Sequence, residues 1–191
     1  MWRESAEGRE PHHTASIRSS SEIPEDHPVK QLFRNLTERG LIQADLRDKD
    51  LLLYIANLLV DFMFVDNVYR MTDTTGSRLN YLVDMLQQAT ETEMPVKKTY
   101  YKHIGDYSLF TLGMFPESLA RPRRLLSANY YADAGRIGYQ TAGDLESNWQ
   151  ITLVFRKLAD EFERCVVSLN WVREYTCDPF YQYMFREWNV T

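Results

Sequence analysis

The sequence predicts an all-α protein: a single-domain bundle of six or seven helices with a hydrophobic central helix. Three observations predict it. Apolar side chains recur at i, i+3, i+4 and i+7 through most of the chain, the spacing that puts them on one helical face. No stretch alternates as a half-buried strand does, and no repeat of roughly 20 to 50 residues is visible. Ser, Asp, Gly and Pro stand where helices would start and stop.

The chain of 191 residues is long enough for one well-buried core and short for two. Hydrophobic residues make up 44% and charged residues 26%, which excludes wholesale disorder. With a net charge of −5 there is no global field for nucleic acid or an anionic membrane, which leaves only a local patch, and nucleic acid is not expected as a partner. The apolar stretch 51–65 contains Asn57 and Asp61 and is shorter than the roughly 20 residues that span a bilayer, so no membrane span is expected. The N-terminus carries charges where an export signal needs an apolar core. Two cysteines, Cys165 and Cys177, show no metal-ligand spacing and no disulfide framework. They read as reduced thiols in a cytoplasmic protein.

Residues 1–25 are polar and poor in large apolar side chains, so they read as a flexible N-terminal tail. His12-His13 lacks partners at ligand spacing, and no metal site is assigned. The helical domain is 26–191. Asp26 caps a first helix whose Val29, Leu32, Phe33 and Leu36 form a stripe, ending at Gly40. Asp45 or Asp48 opens a second helix to about Arg70, apolar on nearly every side and therefore the candidate centre. Ser77 caps a third, with Leu79, Leu82, Val83 and Leu86 on one face. The fourth runs from Lys97 between Pro95 and Pro116. Ser127 caps a fifth, to about Asp144, with Ala128, Ala132, Gly135, Gly138 and Ala142 as a narrow surface. The sixth, from Trp149 to Tyr175, has Ile151, Phe155, Leu158, Phe162, Cys165, Leu169 and Val172 inside. Its outer face has Arg156-Asp160, Lys157-Glu161 and Asp160-Arg164 at pairing distance. A short aromatic terminal helix after Asp178-Pro179 closes over the bundle or packs on another chain.

The fourth helix organises the rest. Gly105 and Gly113 each cost about 1 kcal/mol relative to alanine in a helix, so a compensating close approach is expected, and the narrow fifth helix fits it. On the same helix His103, Asp106 and Tyr107 are three and four apart and share a neighbourhood. Together with Glu117 and Tyr131 they form a candidate pocket. Histidine moves protons near neutral pH and a carboxylate orients or charges its ring; a hydrogen-bonded structural pair is the plainer reading of the same residues. Arg121, Arg123 and Arg124 precede a helix start, where free amides also favour an anion; arginines in solvent are the plainer reading there.

No Glu-x-x-His pair, zinc signature, phosphate loop, dinucleotide fingerprint or nucleophile elbow occurs, and no cofactor is assigned. Gly105-Asp106 through Leu109-Phe110, Gly113, Phe115-Pro116-Glu117, Tyr130-Tyr131, Gly135 and Tyr139 resemble a group of uncharacterised bacterial all-helical proteins. The resemblance implies a helical fold and carries no activity. Two functions stand. One is a non-catalytic interaction or regulatory module with a protein partner or self-association. The other is a small-molecule-binding protein or enzyme, with its pocket between the fourth and fifth helices.

Overall fold

Glycine at the crossing of two helices sets the architecture. In the computed structural model, which describes residues 19–72, 76, 81–94, 96–119, 126–177, 179–180 and 183, α5 (Val96–Met114) and α7 (Ala128–Asp144) meet backbone to backbone. A Cβ on Gly138 would stand 2.8 Å from both the Gly105 nitrogen and the Tyr101 carbonyl oxygen. Neither backbone atom can rotate away, so only glycine allows this approach. The expected pairing of the fourth and fifth helices is therefore present.

Around that pair lie α1 (Pro28–Gln43), α2 (Lys49–Phe62), α3 (Val65–Val68), α4 (Leu82–Glu91), α6 (Pro116–Leu119), α8 (Trp149–Asp160) and α9 (Phe162–Thr176). Seven of the nine exceed one or two turns, and the described residues contain no β-strand. No helix among them is long and apolar enough to cross a membrane. The fold is an all-α single domain. Ile104, Leu109, Phe155, Leu158, Phe162, Leu169 and Val172 are buried in one core. α5 holds the most enclosed place, with every residue from His103 to Leu109 buried. α2 lies beside it and shows solvent one strip, at Leu53 and Asn57.

Several expected boundaries move, each for a local reason. Gly40 does not end α1; it lies buried inside the helix, where a Cβ would be 2.4 Å from the Ser168 carbonyl of α9. The stop comes at Asp45, in the left-handed region at φ 56°, which aspartate tolerates better than most residues. His27 caps this helix in place of Asp26, its Nδ1 accepting the Val29 N–H at 3.2 Å. α2 ends at Phe62 rather than Arg70 and is capped by Asp48, whose carboxylate accepts the Asp50 and Leu51 amides. On α4 the inner face is Leu82, Met85 and Ala89, while Val83 points to solvent.

The expected sixth helix is two, α8 and α9, separated by Glu161 at φ −103° and ψ 20°. Its inner stripe holds from Phe155 to Val172, with Ile151 41% exposed. The three expected i,i+4 ion pairs are not the ones formed. Lys157 reaches Asp48 and Asp50, Arg156 reaches Asp144, and Arg164 reaches Glu161 and Asp45. Lys157 and Arg156 have taken partners from other segments, while Arg164 pairs with Glu161 three residues before it.

Of the expected tail, residues 19–25 are anchored: Ser20–Glu22 form a 3-10 turn, the Ser20 amide donates to the Asp61 carboxylate, and Ile23 packs on the core. The tail up to residue 18 with His12-His13, the loop bearing Arg121, Arg123 and Arg124, the Ser77 cap and most of the terminal aromatic helix lie outside the described residues.

Candidate functional site

Three helices converge on one carboxylate. Asp106 of α5 is 1% exposed. Tyr54 of α2 and Tyr139 of α7 both donate their hydroxyls to its Oδ1, at 2.7 and 2.9 Å. Lys102, one turn earlier on α5, donates to Oδ2 at 2.5 Å and sits 5.3 Å over the Tyr54 ring. The ring of Phe155 stacks on Tyr139 and meets Tyr54 edge-on, closing the carboxylate off beneath aromatic surface.

Burial pushes the Asp106 carboxyl up, but the Lys102 charge and the hydrogen bonds from Lys102 and Tyr54 outweigh it and hold the group below the usual carboxylate range. The same burial, reinforced by the Asp106 charge, drives the Tyr54 and Tyr139 hydroxyls well above their ordinary value. They stay protonated, as donors must. Both carboxylate oxygens are thus engaged, Oδ1 by two tyrosine hydroxyls and Oδ2 by Lys102, whose side chain is 37% exposed.

His103 follows a separate path. Its Nε2–H donates to the Val68 carbonyl at 3.1 Å, which fixes the tautomer and leaves Nδ1 as a buried acceptor without a partner. Its ring tilts against Phe62 and Tyr107. Burial first, and then the Arg70 charge, bring its pKa down to about 3. The imidazole is neutral at any ordinary pH. Tyr100, one turn earlier, donates to the Thr72 carbonyl at 2.6 Å, so two side chains of α5 fasten the 68–72 segment.

His103 and Asp106 therefore share an interior without forming a pair. Tyr107 and Tyr131 meet ring to ring at 6.4 Å on the histidine side. Glu117 does not join them: it lies exposed on α6 and forms an ion pair with Arg173 of α9. An open groove of about 720 Å³ runs between α7 and α8, lined by Asp133, Arg136, Ile137, Arg156 and Asp160 among others. None of the five expected pocket residues lines it.

No protein family, curated protein or solved structure matches the chain. What the site can do rests on its geometry. Among the described residues no three His, Cys, Asp or Glu side chains stand close enough to hold a metal ion. Cys165 is buried, which raises its thiol to about 12, while Cys177 is exposed. Sequence reasoning missed Tyr54, Lys102 and Tyr139 as partners of Asp106. The Lys102-Asp106 spacing of four was a usable signal; nothing local links Tyr54 to a residue 52 positions away.

Proposed function

We propose that the chain is a cytoplasmic, non-catalytic interaction module. The observation that supports this most is the engagement of Asp106. A general acid or base needs a free lone pair or a mobile proton facing substrate, whereas this carboxylate is held ionised under three donors from three helices. The exposed surface is compatible with the same reading, since Trp149, Leu153, Val167 and Trp171 are 68%, 44%, 45% and 37% exposed on α8 and α9.

A photo-crosslinker placed at Leu153 in the full chain tests this in the cells that make it. A discrete protein adduct is expected; its absence would contradict the reading. A second reading, a small-molecule-binding protein, draws on the unpartnered Nδ1 of His103. Native mass spectrometry of the purified chain favours it only if a stoichiometric small molecule is retained and H103Q releases it.

A further inference from the structure

A buried lysine sits under an exposed glutamate where the chain enters α1. The Lys30 side chain is 5% exposed, and that of Arg34, one turn further along α1, is 34% exposed. Glu25 bridges them, Oε1 accepting from Lys30 Nζ and Oε2 from Arg34 Nη2, both at 2.7 Å, while its own side chain stays 69% exposed. Among the described residues neither cation has another ion-pair partner. A charge as enclosed as Lys30 needs an anion in contact with it. Here that anion is the member of the cluster most open to water.

The segment that carries Glu25 is lightly tied. Among the described residues, the backbone hydrogen bonds of 19–27 run within the segment or into the first turn of α1. Beyond those, the Ser20 amide donates to the Asp61 carboxylate, Ile23 packs on the core, and Gln31 Nε2 donates to the Glu25 carbonyl at 2.8 Å. A strap, not a helix, delivers the carboxylate. Two cations face its single charge, and the hydrogen bonds from Lys30 and then Arg34 hold the Glu25 carboxyl below its ordinary value. A phosphate group carries a charge of about −1.5 to −2 near neutral pH, which matches the pair more closely. The guanidinium fork of Arg34 suits its oxygens.

We propose that Lys30 and Arg34 form a phosphate site that Glu25 occupies as a built-in competitor. Free phosphate or a phosphate monoester takes the place of the Glu25 carboxylate on the two cations. Residues 19–25 then keep only their Ser20, Ile23 and Gln31 contacts, so binding loosens the strap. Because Glu25 is tethered beside the site, its effective concentration is on the order of millimolar. The intact chain therefore responds only to a ligand that binds more tightly than a lone carboxylate or is present in excess. This site is independent of the interaction reading, which concerns α8 and α9.

Calorimetric titration of the full chain with inorganic phosphate at constant ionic strength tests this. E25A, freed of its competitor, is expected to bind a single phosphate about tenfold or more tightly than the wild type, and E25A/R34Q to lose that gain. E25Q keeps the side chain's length without its charge; it is expected to move in the same direction as E25A and takes its place if E25A does not fold. In the wild type, amide exchange of residues 19–25 is expected to quicken as phosphate saturates the site. Failure of both E25A and E25Q to bind phosphate, or an affinity no higher than that of the wild type, overturns the proposal. So does unchanged exchange at saturating phosphate. An E25A/R34Q chain that binds as well as E25A means an adventitious ion only, and overturns it too.

Discussion

The α5–α7 seam and the outer face of α8–α9 invert the usual placement of residue types. Inside, an ionised carboxylate at the seam and a histidine on another side of α5 are buried; outside, two tryptophans, a leucine and a valine face water. Charge inside a protein persists only where partners replace solvent, and Asp106 has three. Among the described residues the outer stripe is left exposed. The difference teaches that His103 and Asp106, the residues most suggestive of chemistry, are tied into the packing of the fold, while large apolar side chains on α8 and α9 remain exposed.

The largest effect expected in breaking this contrast is at Asp106. D106A leaves two tyrosine hydroxyls and a lysine without their acceptor, and a loss of ~3–5 kcal/mol in urea unfolding is expected for breaking a buried ionic contact. Y139F, which removes one donor and keeps the ring, should cost only ~1 kcal/mol. If D106A were as stable as the wild type, the seam would not depend on its charge.

Close packing should come next. G138A forces a Cβ against two backbone atoms of α5, and overpacking of this kind costs ~1–3 kcal/mol. The comparison is G143A, whose new Cβ would be 3.3 Å from its nearest neighbour, the Cβ of Phe155. It should lie near neutral, since the helix-propensity gain of up to ~1 kcal/mol opposes the crowding. Equal losses at the two sites would remove the argument for backbone contact.

Acid should weaken the interior and leave the outer face alone. His103 in the unfolded chain takes a proton near its ordinary value, while in the fold its pKa is about 3. The unfolded state therefore binds more protons between those values, and stability falls as pH drops, with a slope approaching ~1.4 kcal/mol per pH unit. Asp106, with its pKa held low, has the same sign and loses its contribution further down, as pH falls through its folded value. H103Q should flatten the upper part of this dependence. Smallest of all, V167K on the outer stripe should change stability by no more than ~0.5 kcal/mol.

The helices were legible in sequence because periodicity and caps are local. Ser127 caps α7 as expected, and the glycines at 105 and 138 announced the close crossing. Gly40 misled because the same residue ends helices and admits neighbours, and only Ser168, far along the chain, decides which. The break at Glu161 left no apolar gap, so a continuous stripe read as one helix. For the site, His103 and Asp106 were correctly placed on one helix, but their separation depended on Val68, Tyr54 and Tyr139, residues from other segments. Glu117 failed because Pro116 starts α6 and turns its neighbour toward Arg173.

The ionisation of Asp106 tests the account most directly. A carbon-13 NMR titration of its side-chain carboxyl in the folded protein should show a charged group whose midpoint lies below the ordinary aspartate range. A midpoint above that range, with the carboxyl protonated near neutral pH, would mean a group able to give and take a proton and would contradict the account.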